Sequence, residues 1–261
     1  MTRPSGTRFD SEADSGQCDE QDNFVEFTPF EVIAMKVLDS WLIFACRSSY
    51  AAEAAECIWR TGGHVKALVD NWSGEPFFSD IAPVIGPEAV GEEDRALAVT
   101  IPLITPGHRA AAQADAGRRG MSYFPVLADP TAVVSRTACI GTGVSINGLT
   151  IIGARSCIGR FCLINRSASI GHDAELHDFV TLGPGVVLAG HIVIESGAFV
   201  GAGAVLAPKV RVGLNAVVGA GAVVMQDVPP HAVVVGNPAR VLRVQDCGYS
   251  GTGIDADTLT L

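Results

Sequence analysis

His172 and Asp173 stand side by side in Ile170–Leu176, IGHDAEL, inside a long run of small and aliphatic residues. An imidazole is the usual general base near neutral pH, and an adjacent carboxylate stabilises the imidazolium as it forms. The pair is suited to taking a proton from an attacking amine or hydroxyl. A solvated corner would account for the same two residues, so the surrounding elements have to decide. No cysteine or serine stands out as a covalent nucleophile, which favours direct transfer of a group between two bound substrates.

Stepping every sixth residue from Val134 gives Val134, Ile140, Ile146, Ile152, Ile158, Ile164, Ile170, Leu176, Leu182, Leu188, Ile194, Val200, Leu206, Val212, Val218 and Val224. Sixteen consecutive positions are Val, Ile or Leu. Four residues on from each, the side chain is small or β-branched, as at Ala138, Val144, Thr150, Ser156 and Cys162. One residue on, Gly or Asn dominates, as at Gly141, Asn147, Gly153 and Gly159. We expect these to take positive φ at tight corners. A period of six with an aliphatic, a corner and a small residue means short strands joined by turns. Three such sides close a triangular coil, so the run makes roughly five coils. No coil buries its aliphatic layer alone, and the prism must fold as an array.

Ahead of the prism, Trp41–Cys46 reads as a buried strand and Ser49–Arg60 as an alanine-rich amphipathic helix stopped by Thr61-Gly62-Gly63. His64–Val69 is a second strand ending at Asp70. This β-α-β unit opens a nucleotide-binding type of domain. Leu97–Ile101 reads as a further strand and His108–Gly120 as a further helix. The expected divisions are an acidic flexible extension over 1–38, a small α/β domain over 39–125, the six-residue-period prism with its closing segment over 126–244, and a polar tail over 245–261.

Composition excludes several classes. The 261 residues carry a formal charge of −10, which disfavours nucleic acid and anionic membranes as partners. Aromatics make up only 7% beside 29 glycines, as suits thin aliphatic layers turned by glycine. Seven cysteines without a Cys-x-x-Cys pair suggest a reducing compartment. The N-terminus lacks an apolar signal region, and no apolar stretch is long enough to span a bilayer. Together these point to the cytoplasm.

Residues 126–244 resemble the left-handed parallel β-helix of the hexapeptide-repeat acyltransferases. The match includes the closing segment Asp227–Arg240 with its Gly236-Asn237-Pro238-Ala239-Arg240 run. The handedness comes from the resemblance, since periodicity does not fix it and most crossovers are right-handed. Over residues 39–244 the chain is similar to the sialic acid O-acetyltransferase and nucleotide-sugar N-acetyltransferase group. The fold class implied is mainly β, a left-handed parallel β-helix preceded by a Rossmann-like βαβ domain. The resemblance implies acetyl transfer from acetyl-coenzyme A to an amine or hydroxyl of a sugar or nucleotide-sugar, without a metal. It implies His172 as base, Asp173 as its partner, and a homotrimer with sites between subunits. Coenzyme contacts would fall at Thr181, Gly190, Ala202, Ala220, Asn237, Pro238 and Arg240, and His191 would line the same groove. The acceptor would sit near Arg47, Ser48 and Asp70. The loop Ala45–Tyr50 departs from the group in having no glycine, where relatives bring backbone close to phosphate.

Two rivals stand beside this. His172 and His177 have the spacing of a zinc pair in γ-class carbonic anhydrases, which share the prism. Catalytic zinc needs three protein ligands. No histidine lies between His108 and His172, and Arg136 stands near the expected third position. The other rival is a prism that serves only as a scaffold. His177 itself reads as a structural corner residue.

Overall fold

The structure, a computed structural model, describes residues 24–26, 38–71, 78 and 80–255. Expectations for the rest of the acidic extension and for residues 256–261 fall outside the described residues.

The first domain carries four parallel strands, β2 (Ser40–Phe44), β3 (His64–Val69), β4 (Val84–Ile85) and β5 (Ala98–Thr100). Their order in the sheet is β4-β3-β2-β5. Helix α1 (Ala51–Arg60) crosses from β2 to β3 and buries Ala51, Ala54, Ala55, Cys57 and Ile58. Its small residues let the helix lie close on the sheet, and Gly62 at φ 87° turns the chain out. Helix α2 (Pro106–Arg118) starts with proline in its first turn, where a missing N–H costs nothing. The strands and helices expected here are present. The two-residue strand β4 was not expected, because Val84–Ile85 is too short to show alternation.

The prism follows. Sixteen strands centred on the aliphatic series stack into three parallel sheets. Face I holds Val133–Val134, Ile151–Ile152, Ser169–Ile170, Val187–Leu188, Val205–Leu206 and Val223–Val224. Face II runs from Cys139–Gly141 to Arg211–Val212, and face III from Leu127–Ala128 to Val217–Val218. Strand β1 (Phe24–Glu26) pairs antiparallel with Cys139–Gly141 at the edge of face II, so part of the extension joins the fold. Leu127–Ala128 adds a side one hexad before Val134. From Leu127 to Val224, paired strands are 18 residues apart, as in Ile152 beside Ile170 and Leu182 beside Val200. Ile158, Ile164, Leu182 and Val200 are fully buried in the central stack, with Ala168, Ala174 and Ala198 filling the narrower corners.

The expectation for the corner glycines needs correction. Positive φ falls three residues after the aliphatic positions from Ile140 to Val218, not one, at Leu149, Arg155, Phe161, Ser167, Asp173, Phe179, His191 and Lys209 among others. Gly153 is glycine for another reason. A β-carbon there would lie 2.6 Å from the Gly171 carbonyl carbon in the next coil. Close stacking of coils, not a left-handed backbone, excludes the side chain.

The expected polar tail also packs. Tyr249 stacks on Phe199 at 3.7 Å between ring centroids, and Asn215 exchanges hydrogen bonds with the backbone of buried Ile254. A β-carbon on Gly107 would meet Thr252, so this segment reaches the first turn of α2.

The first domain rests on face III and on the edge between faces II and III. Arg109 of α2 is buried and donates to the carbonyls of Phe161 (2.7 Å) and Phe179 (2.8 Å) in two successive coils. It also binds the Leu103 carbonyl. Phe161 and Phe179 stack at 5.5 Å beside it.

Candidate active site

His172 and Asp173 occupy the turn between Ser169–Ile170 and Glu175–Leu176, on the edge between faces I and II. Inside that turn, buried Ser156 donates to the Gly171 carbonyl at 2.8 Å and accepts from the Ala174 N–H at 3.3 Å. The corner is therefore held from within while both functional side chains point outward. Nδ1 of His172 lies 2.5 Å from Oδ2 of Asp173. Arg155, one coil below, forks onto the same carboxylate, with Nε to Oδ1 at 2.6 Å and Nη2 to Oδ2 at 2.9 Å. Hydrogen bonds from Arg155, then from His172, hold the Asp173 carboxyl well below the usual carboxylate range. An ionised carboxylate only accepts, so Nδ1 of His172 is the donor and Nε2 keeps its lone pair. The His172 side chain is 60% exposed, and Nε2 is the atom available to a substrate.

His191 stands one coil above Asp173, with Nε2 at 3.9 Å from Oδ2. Its ring meets that of His172 edge to face at 5.1 Å. His172, Asp173 and His191 each bring one ligand-type atom within 4.8 Å of the others. Both carboxylate oxygens are already engaged by Arg155 and His172, so we read the group as proton-handling rather than as a cation site. The sequence places His191 only in a groove and gives Arg155 no role. A signal for both is nonetheless present: 155, 173 and 191 differ by 18, the residues in one coil.

The coenzyme candidates divide. Ala202 and Ala220 are exposed on the edge between faces III and I, 18 residues apart. Pro238, 18 further on, lies in the turn between Ala232–Val235 and Arg240–Val244, and the Ala239 N–H bonds the Val223 carbonyl there. Asn237, Pro238 and Arg240 thus continue the same edge. A cavity of about 260 Å³ beside it is lined by Met225, Asp227, Pro238 and Arg240 among others. Gly185, Gly203 and Gly221 have positive φ on this edge, with open space where a β-carbon would stand. A strip of bare backbone results.

Thr181 and Gly190 do not belong to this edge. Thr181 has no exposed surface. Its hydroxyl donates to the Ile104 carbonyl at 2.8 Å and accepts from Arg109 at 2.9 Å, so it joins the two domains and offers a coenzyme no contact. Gly190 packs against the His172 ring from the coil above instead.

In the first domain, Arg47 and Asp70 lie at the carboxyl ends of β2 and β3, near the point where strand order reverses between β2 and β5. Such a crevice is where open α/β sheets bind ligands. Arg47 Nε lies 2.9 Å from each Asp70 oxygen, and Nη2 lies 2.8 Å from Oδ2. Two of the residues expected near the acceptor thus hold each other. Ser48 Oγ accepts from the Tyr50 N–H at 3.1 Å at the entry to α1. Ala45 takes φ 60°, performing without glycine the turn a Gly-rich loop would make.

His172 and His177 fall on different edges, I–II and II–III, so one chain cannot bring both to one zinc ion.

The family Bacterial transferase hexapeptide (six repeats) matches residues 191–226. PerB from Caulobacter crescentus, solved with CoA and GDP-perosamine, is 30% identical with a TM-score of 0.71, over 78% of this chain and 97% of that one. The chain belongs to the hexapeptide-repeat sugar acetyltransferases. The acetyltransferase domain of PglB from Neisseria gonorrhoeae, solved with acetyl coenzyme A, is 28% identical with a TM-score of 0.70, over 78% of this chain and 99% of that one. WeeI from Acinetobacter baumannii is 27% identical with a TM-score of 0.69 over the same shares. No curated protein matches the chain. Membership makes this hexapeptide-repeat protein an acetyltransferase and its prism a left-handed β-helix. Among the described residues, no helix is long and apolar enough to cross a membrane.

Proposed function

We propose that this acetyltransferase moves the acetyl group of acetyl-coenzyme A to the amino group of a nucleotide-linked sugar, with His172 as general base. The observation that carries the reading is the His172 Nδ1–Asp173 contact, which leaves Nε2 of the neutral ring to accept a proton on a half-exposed side chain at the I–II edge. The sugar nitrogen attacks the thioester carbonyl, a C–N bond forms and the C–S bond breaks. The proton lost by nitrogen passes to Nε2, and the departing coenzyme sulfur accepts a proton. The thiols of Cys57 and Cys162 are pushed by burial up to about 12, which leaves no thiolate there for a covalent route. The backbone N–H groups of Asp173 and His191 already bond the carbonyls of Ala154 and His172, so neither serves as an oxyanion donor.

The site is shared between copies in this reading. The first domain covers face III, and His172 stands on the edge opposite that face. The bare backbone strip and the Asn237–Arg240 turn lie on a third position, the III–I edge. Between the two edges, face I presents exposed Val133, Ile151, Val187 and Val205. A trimer packed through this apolar face brings the base of one copy to the III–I edge of the next, with coenzyme between them. A cytoplasmic location accompanies the reading.

The test pairs calorimetry of acetyl-coenzyme A binding with free-thiol release against a panel of nucleotide-linked amino sugars. Wild type and His172→Ala should both bind the coenzyme at micromolar strength, and only wild type should release thiol. Full turnover by His172→Ala would remove the base from this account. Light scattering at the mass of three chains checks the assembly.

A further inference from the structure

We propose that Arg155 is a positioning residue for acetyl transfer, acting through Asp173 on the orientation of His172. The inference rests on His172 being the base. A carboxylate turns easily about its last torsion, whose wells are broad. A hydrogen bond to the adjacent imidazole alone would leave Asp173 several orientations. The Arg155 guanidinium removes that freedom, since a planar fork on two oxygens fixes the carboxylate plane. Oδ2 is then held at Nδ1 of His172, and the ring is set with Nε2 toward substrate.

Stability does not account for this arrangement. Arg155 is 71% exposed, and surface ion pairs contribute little to folding. Its location is nonetheless well specified. Arg155 has φ 56°, and its N–H bonds Thr137 Oγ1 at 3.0 Å, which anchors the backbone from which the fork projects. Three groups converge on Asp173: Arg155 from the coil below, His172 from its own turn and His191 from the coil above. Exposed Lys209 continues the column one coil beyond His191. Among the described residues, Arg155 is the one permanent cation bonded to the carboxylate. It therefore also offsets part of the negative field that Asp173 exerts on the imidazole.

The experiment compares Arg155→Met, Arg155→Lys and His172→Asn with wild type, measuring kcat and KM for both substrates across pH, with thermal melting as a fold check. Arg155→Met should melt within a few degrees of wild type and lose about ten- to a hundredfold in kcat. Both KM values should hold within about twofold, and the acidic limb of its profile should move to higher pH as the offsetting cation is lost. Arg155→Lys keeps the charge without the fork, so its limb should stay in place while kcat recovers only in part. Wild-type kcat and an unmoved limb in Arg155→Met, with His172→Asn inactive, would overturn the positioning role and leave the base intact. An active His172→Asn would instead overturn the functional reading beneath it.

Discussion

Gly190 lies so close to His172 that a β-carbon at 190 would sit 2.7 Å from both Cε1 and Nε2 of the imidazole. The coil above the base is thus shaped to leave its reactive nitrogen uncovered. The two residues are 18 apart, so the relationship follows directly from the period of the prism.

Gly190→Ala is expected to displace the ring rather than the fold. The His172 side chain is exposed and can rotate away, so melting should change little. kcat/KM should fall at least about tenfold, by analogy with the cost of small misplacements at a reacting centre. Steady-state kinetics beside a melting curve checks this, and a variant with wild-type turnover would show that the close approach is incidental.

Asp173 sets the sign of the pH response. Its carboxyl is held below the ordinary range by Arg155 and His172, so its ionised contacts persist through mild acid and are lost only as pH falls through that lowered value. Activity lost above that lowered value therefore does not come from Asp173 giving up its charge. Asp173→Asn should move the acidic limb to lower pH, because the imidazolium loses its counter-charge, and should reduce the rate on the plateau. A limb that stays in place would exclude Asp173 from any influence on the base.

Arg109 is a buried cation held mainly by backbone carbonyls of both domains, and desolvation lowers its pKa to about 10. It remains charged at neutral pH. Arg109→Met would leave the Phe161 and Phe179 carbonyls without their donor, at a cost of about 3 kcal/mol or more. Denaturant melts should show this loss, and limited proteolysis between α2 and Leu127 should accelerate. Unchanged protease resistance would place the strength of the domain junction elsewhere, in the packing of Phe161 and Phe179 against the apolar residues of the first domain.

Thiol chemistry reports on the closure of the core. Cys247 is exposed, whereas Cys57 and Cys162 are buried with thiols raised to about 12 by desolvation. Iodoacetamide at pH 8 should modify Cys247 rapidly and reach the other two only after unfolding, as peptide mapping would show. Prompt labelling of Cys162 would mean that the prism opens locally in the native state.

The aliphatic series and the β-α-β opening were legible because each is a periodic signal whose hydrophobic residues reach one core. His172 and Asp173 were legible because two adjacent polar side chains add nothing to an aliphatic core and break the texture of the run. What escaped depends on contacts between coils. Arg155 and His191 join the site only when residues 18 apart are stacked. Glycine at 153 and 171 reflects the next coil's backbone, which a one-dimensional reading mistakes for a corner requirement. The resemblance put Thr181 among the coenzyme contacts, but a position along the chain does not say which edge a residue meets. At Thr181 the Arg109 side chain already occupies that position. The segment around Tyr249 and Ile254 looked polar because its two anchoring side chains are sparse among glycine and serine.

The 18-residue coil also governs which changes of chain length the gene can tolerate. Inserting six residues between Arg155 and Asp173 would keep every aliphatic position in phase with the core. Yet it would carry all later corners round by one edge, so that Asp173 would rise over a different column and His191 with it. The hydrophobic pattern would look intact while the active edge was dismantled. Only insertions or deletions of whole coils keep both the pattern and the column, and those that fall outside residues 155–191 also keep the Arg155–Asp173 and Asp173–His191 contacts. Such a prism can grow or shrink in heredity by steps of eighteen, and a change that leaves the core sound can still erase the enzyme.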